Sequence, residues 1–156
     1  MPAQPISIPE KFRHTARAHA NQGLVVTQQQ TYSFSEIDAS SDRVAAALAR
    51  QGIGKGDRIA LYCINCAEFL IAWHGIVKAG ATVVPVNLLI APDEICYILN
   101  DAGIAGMIYH QAMAEKVGLI RNRLDRVSLW TAIGETQSEN DQTLADWLAD
   151  DNAAPH

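Results

Sequence analysis

The sequence predicts an α/β fold, a mostly parallel sheet with flanking helices. Helical stretches with one apolar face alternate with short runs that are apolar throughout, the pattern of strands covered on both sides by crossover helices. The connections between them are short, which favours right-handed strand–helix–strand units. The chain has 156 residues, 49% of them hydrophobic and 19% charged, a length and composition suited to one buried core.

The elements follow in order. "IPEKFRHTARAHANQG" places a proline at a first helical position and a glycine beyond the end, so a short surface helix is expected from about Pro9 to Ala20. "LVVTQQQTYSF" reads as two short strands joined by polar residues, a hairpin. Ser33 followed by Glu36 forms a capping box that opens the next helix. Its Ile37, Val44, Ala45 and Leu48 share a face, Ser41 fills a small gap in that stripe, and Gly52 is its left-handed stop.

After the strand "RIALYC", Asn65 and Glu68 repeat the cap spacing and open "CAEFLIAWHGIVKAG". Phe69, Leu70, Trp73, Ile76 and Val77 make that helix apolar on most sides, as expected of one packed between layers. "TVVPV" is a short buried strand. Pro92 and Glu94 start a third helix with Ile95, Ile98, Leu99 and Ala102 on its apolar face, and Gly103 ends it. "AGMIY" is the next strand. A weaker helix, a strand "RVSLWTA", a polar linker "GETQSENDQ" and a short amphipathic "TLADWLA" complete the order. The acidic "DDNAAPH" has no core of its own and is expected to be disordered or a cut end.

Composition excludes some function classes. A formal charge of −5 with scattered basic residues offers no field for a nucleic-acid backbone. The longest apolar stretch, from Phe69 to Ile90, contains His74, Lys78, Pro85 and Asn87 and cannot be one membrane span. No basic region leads into an apolar run at the N-terminus. Three cysteines without a visible signal fit a reducing cytoplasm better than a disulfide framework.

The stretch "QGIGKGDR" has the composition of a phosphate loop but the opposite context. Such a loop must follow a strand and open a helix, so that amides and the helix N-terminus face the anion. Here it follows a helix and precedes a strand, so the nearby helix end presents carbonyls. It reads as a helix stop and a tight turn. Cys63 and Cys66 form a C-x-x-C at a strand end, the place of a thiol redox pair, although Cys63 falls within an apolar run. With Cys96 and five histidines, no second close ligand pair supports zinc. His14 and His19 lie on the surface helix, and His74 reads as a hydrogen-bonded packing residue. Glu36, Glu68 and Glu94 are assigned to helix caps.

From Thr31 to Tyr109 the chain resembles the opening of the adenylate-forming enzymes: acyl-CoA synthetases, luciferases and peptide-synthetase adenylation domains. The resemblance rests on Gly56, Asp57 and Arg58, then Asn65, Glu68 and Phe69, then Lys78, Ala79, Gly80 and Ala81, and finally Pro85 and Asn87. "APDEICYILNDAGIAGMIY" is similar to the family's next helix and strand. Ala91 stands where the family has a capping Thr or Ser, Leu88 where a proline is common, and Cys63 where a proline often precedes the asparagine. Pro85-Val86-Asn87 tilts the resemblance toward an acyl-CoA ligase, most like a long-chain fatty-acid–CoA ligase.

That resemblance implies the N-terminal part of the family's large domain, with residues 1–150 as a subdomain and 151–156 as the loose end. It implies a parent that uses ATP and Mg²⁺ to join a carboxylic acid, a fatty acid by the same tilt, to CoA through an acyl adenylate. The remainder of the same polypeptide would then be the chain's partner. The family's phosphate loop, aromatic-Gly-x-Thr-Glu segment, ribose-holding Asp and C-terminal lysine match nothing here. No residue is therefore assigned as catalytic, cofactor-binding or metal-binding, the fragment is expected to be inactive and to bind no cofactor tightly, and the signature residues are read as structural. The sequence also admits two other readings: a free-standing interaction module, and a thiol redox protein using Cys63 and Cys66. Acid specificity and oligomeric state, a homodimer included, stay open.

Overall fold

Every neighbouring pair in the five-stranded sheet is parallel, as strands joined by helical crossovers must be. The computed structural model describes residues 6–150; the expected loose end at 151–156 lies outside the described residues. Helix α1 (Ile8–Ala18) precedes a small antiparallel hairpin of β1 (Gly23–Val26) and β2 (Thr31–Ser33). There follow α2 (Phe34–Arg50), β3 (Arg58–Tyr62), α3 (Ala67–Lys78), β4 (Thr82–Pro85), α4 (Pro92–Ala102) and β5 (Gly106–His110). Helix α5 (Ala114–Ile120), β6 (Leu129–Ile133), β7 (Gln142–Thr143) and α6 (Leu144–Ala149) complete the described chain. The sheet order is β4-β3-β5-β6-β7, so the chain steps outward from β3 to β4, then crosses back to β5.

Alternation along the central strands feeds two cores. Ile59, Leu61 and Cys63 of β3 and its extension join Ile108 of β5 in a cluster with α2, α3 and α6. Ala60 and Tyr62 join Met107 and Tyr109 in a second cluster with α4 and α5. Side chains of successive strand residues point to opposite faces, and both faces here are covered. That is why "RIALYC" is apolar throughout rather than alternating.

Three successive helices stop in the same way. In α2 the Gly52 amide donates to Ala49 O (3.0 Å) and the Ile53 amide to Leu48 O (3.0 Å), with Gly52 at φ 78°. Gly80 and Ala81 repeat this on α3, through Val77 O at 3.0 Å and Ile76 O at 3.1 Å. Gly103 and Ile104 do so on α4, through Asn100 O at 3.1 Å and Leu99 O at 3.4 Å. This pair of bonds is the Schellman closure, which needs a left-handed residue that glycine adopts without a Cβ clash.

Several local expectations need correction. Helix α1 starts before Pro9 and ends before Ala20, because Ser7 and Glu10 form a capping box that fixes its start. The box at Ser33 and Glu36 forms as expected. Asn65 and Glu68 do not cap α3; its N-cap is Cys66, and no side chain bonds there. Helix α4 likewise starts without a side-chain cap: Ala91 at the N-cap has no side-chain acceptor for the Glu94 amide, and the Glu94 carboxylate makes no cap bond. On α4 the buried face is Ile95, Cys96 and Leu99, and Ile98 is 40% exposed. The polar linker holds the start of β7, which pairs with β6 through backbone groups and needs no apolar pattern.

Helices α2 and α3 pack closely at Gly75. A Cβ there would lie 2.4 Å from Val44 Cγ1 and 3.1 Å from the Ser41 carbonyl oxygen. Gly75→Ala is therefore expected to destabilise the fold by about 1–3 kcal/mol through overpacking, despite alanine's better helix propensity. Gly118→Ala on α5, where a Cβ meets nothing within 4 Å, is expected to be neutral or to stabilise by up to about 1 kcal/mol. Urea unfolding of the two variants tests the pair, and equal midpoints would contradict the close crossing.

Candidate functional site

The glycine loop faces the wrong end of the sheet for phosphate. It runs from the carbonyl end of α2 into the start of β3, and Gly56 has φ 100°. Asp57 accepts the Gly54 amide through Oδ2 at 2.8 Å, closing the turn on itself. The Asp57 carbonyl accepts from Thr82 N (2.9 Å) and the Arg58 carbonyl from Ala105 N (2.8 Å). These residues seat the first rungs of β4 and β5 on β3. A Cβ at Gly80 would sit 3.5 Å from Lys55 N, so the α3–β4 turn lies against the same loop.

Lys78 is the most buried charge of the signature. Its side chain is 2% exposed, and the ammonium donates to Asp38 O (2.8 Å), Asp38 Oδ1 (2.6 Å) and Asp42 Oδ1 (2.8 Å). All three of its protons have an acceptor. Arg13 reaches the same Asp42 oxygen at 2.7 Å, so one polar knot joins α1, α2 and α3. Beside it His74 stacks on Phe12 with centroids 3.9 Å apart. His74 Nδ1 is buried with no hydrogen-bond partner among the described residues, and the stacking on Phe12 supports its packing role. Burial first, and then the nearby Lys78 charge, lower its pKa to about 4.

The opposite edge of the sheet is open. Ligands in parallel α/β sheets bind outside the carboxyl ends of the strands. There a cleft of about 880 Å³ is lined by Tyr109, Glu115, Arg121, Glu135, Thr136 and Ser138, among others. Arg121 grips Asp141 with two bonds, at 2.8 and 2.6 Å, and its guanidinium lies 4.1 Å from the Trp130 ring centroid. The Tyr109 hydroxyl also donates to Asp141, whose side chain is fully buried. Burial alone would raise the Asp141 carboxyl, but the bonds from Arg121 and Tyr109 outweigh it and hold it below the usual aspartate range. Burial, then the bond to Asp141, push the Tyr109 phenol upward.

This network fastens β5 and the segment after α5 to the 134–142 loop, and its polar groups bind one another. Arg121, the cation lining the cleft, is already neutralised, and Glu115 and Glu135 add negative charge. The cleft lining therefore offers an anion no unpaired cation. Among the described residues no group of His, Cys, Asp and Glu could hold a metal ion. Tyr109, Arg121 and Asp141 were missed from sequence because they come from three segments; the available signal was a tyrosine at the carboxyl end of a buried strand.

The remaining signature residues lie on that edge without forming one site. Asn65 and Pro85 are exposed, Glu68 is half-buried in the first turn of α3, and Asn87 Oδ1 accepts the Leu89 amide at 2.9 Å to shape the turn after β4.

The sequence profile of the AMP-binding enzyme family matches residues 12–155. The chain is 39% identical over 104 residues to a long-chain-fatty-acid–CoA ligase of Salmonella typhimurium, covering 65% of this chain and 18% of that protein. It is 34% identical over 105 residues to surfactin synthase subunit 3 of Bacillus subtilis, covering 67% of this chain and 8% of that protein. The solved structure of a Mycobacterium tuberculosis fatty acyl CoA synthetase superposes with a TM-score of 0.84 at 28% identity, over 96% of this chain and 29% of that one. The chain thus spans less than a third of each of these relatives.

The polar knot and His74 give two expectations. Lys78→Met leaves Asp38 and Asp42 without their shared cation and should cost about 2–3 kcal/mol of unfolding free energy. His74 is neutral in the fold, so its contribution is complete above the ordinary histidine pKa of about 6.5 and is lost as pH falls toward about 4. Discounted for partial exposure, that loss is about 1–2 kcal/mol. His74→Phe should flatten the pH dependence of stability across this window, and a parallel decline in both proteins would remove His74 as its source.

Proposed function

Since the chain belongs to the AMP-binding enzyme family, we propose that it forms the N-terminal portion of an ATP-dependent acyl-CoA synthetase. The parent joins a carboxylic acid to AMP with release of pyrophosphate, then passes the acyl group to CoA. The chain's own part is structural: it supplies the first parallel strands and the helix layer on which the catalytic segments are mounted. The carrying observation is the run from Gly56 to Asn87, whose members sit at helix stops, strand starts and a buried ion knot.

Residues 1–150 are read as one subdomain. ATP, Mg²⁺, CoA and the fatty acid are bound chiefly by the remainder of the polypeptide, because the cleft at Arg121 and Asp141 offers an anion no unpaired cation. An apolar groove of about 230 Å³ between the end of β4 and α4, lined by Pro85, Val86, Ile95 and Ile98, supports further polypeptide meeting this side. Leu89, 91% exposed, and Tyr97, 73% exposed, add apolar surface on α4 and the turn leading into it. Three cysteines, an odd count, support a reducing cytoplasm rather than a disulfide framework. No helix among the described residues is long and apolar enough to cross a membrane.

An antibody raised to this chain should detect, in its source cells, a band several times heavier than 17.0 kDa. The heavier protein should form acyl-CoA from ATP, Mg²⁺, CoA and a panel of fatty acids, and the 156-residue chain should form none. A native band at 17.0 kDa would favour a free-standing module, and acyl-CoA made by the short chain would overturn the structural role.

A further inference from the structure

The corner between β3 and α3 carries chemistry that the ligase reading does not use. Cys63 extends the alternation of β3 into the first core and is only 6% exposed. Cys66 is the N-cap of α3, half-buried, with extended backbone at φ −150° and ψ 172°. Their sulfur atoms lie 3.5 Å apart, within hydrogen-bond reach of each other. The two cysteines thus differ in exposure while touching through sulfur, one reachable and the other behind it. Cys96 lies in the core on the other face of the sheet and is 4% exposed.

We propose that Cys63 and Cys66 are a redox modification site that closes to an intramolecular disulfide when a peroxide reaches Cys66. The roles follow from position. Cys66 is the attacking sulfur because it is the less buried of the two and stands at the start of a helix, where amides without intrahelical partners favour a thiolate. The hydrogen bond from Cys63 lowers the Cys66 pKa against the opposing effect of burial, and the same bond together with burial keeps Cys63 protonated. Glu68, in the first turn of α3, is the neighbouring charge that opposes the Cys66 thiolate.

The Cys66 thiolate attacks one oxygen of hydrogen peroxide and breaks the O–O bond. Cys66 becomes a sulfenic acid, and the departing hydroxide takes a proton to leave as water. Cys63 sulfur then attacks Cys66 sulfur, the Cys63 proton goes to the leaving hydroxyl, and a second water departs as the S–S bond forms. Two electrons pass from the dithiol to the peroxide. A dithiol reductant reverses the bridge by exchange. The more buried cysteine is the resolving one, so an apolar strand position for Cys63 is compatible with the role.

The test uses the whole chain, with hydrogen peroxide in small excess, alkylation of remaining thiols and peptide mass mapping. The expected result is loss of two of the three thiols, a bridged peptide spanning residues 63 to 66, recovery with dithiothreitol, and no covalent dimer. Cys63→Ser should leave Cys66 as a sulfenic acid trapped by a 1,3-dione. Cys66→Ser should slow alkylation at Cys63 at least tenfold relative to Cys66 in the unmodified chain. The proposal is overturned if all three thiols survive peroxide that oxidises a free-thiol control, if Cys66 proceeds to sulfinic acid while Cys63 stays reduced, or if the bridge involves Cys96.

Discussion

The parallel sheet depends on how its helices stop. A helix ends with unsatisfied carbonyls, and the chain leaving it must turn back without exposing them in the core. Gly52, Gly80 and Gly103 solve this three times with the same two backbone bonds. In each case the residue after the glycine, Ile53, Ala81 or Ile104, is buried beside the last turn of the helix it has just left. The starts of β3, β4 and β5 are thereby brought to one edge, pointing the same way. A side chain at these left-handed positions would cost about 1–2 kcal/mol each, and the register of the sheet would have to absorb the change. The glycine-rich loop that looks like a phosphate cradle is one of these turns, extended by Asp57 folding back on Gly54.

The helix layer over the first core adds a second constraint, a polar one. Lys78 lies at the end of α3, near the carbonyl pole of its own helix, and its ammonium is satisfied by Asp38 and Asp42 of α2. A buried ion group of this kind is a weak source of net stability but a strict one of geometry, because any other crossing strands a charge. Gly75, one turn earlier on α3, lets the two helices come close enough for Lys78 to reach. Small residue and long cation work together: Gly75 sets the distance and Lys78 sets the rotation.

Much of this was legible because the signals are local. The capping box at Ser33, the stop at Gly52 and the apolar runs of β3 and β5 each report a backbone need within a few residues. What escaped depended on partners far away in sequence. Asn65 and Glu68 have cap spacing, yet the chain turns after Cys63 in a way that starts the helix at Ala67 instead. Strand β7 pairs through its backbone at the rim of the sheet and leaves no apolar trace. Gly75 carries no local signal in the sequence, since its meaning lies in Val44 on another helix. Tyr109, Arg121 and Asp141 come together from a strand end, the segment after α5 and a polar loop, and only tertiary structure joins them.

The successes and failures of local rules divide along the sheet. At the edge where strands begin, turns close on themselves and the signature residues are consumed by structure. At the edge where strands end, the rules relax at two helices: α3 and α4 start without side-chain caps, although α6 at the same edge is capped by Thr143, as α1 and α2 are by Ser7 and Ser33. The Tyr62 hydroxyl, at the end of β3, is buried with no partner among the described residues. Local consistency is sacrificed mainly where a protein does something besides fold. In a parallel sheet of this order that place is the carboxyl edge, at the switch between β3 and β5. Under the proposed function, the N-terminal edge is the finished side of the platform and the carboxyl edge is the side on which the rest of the enzyme would be mounted.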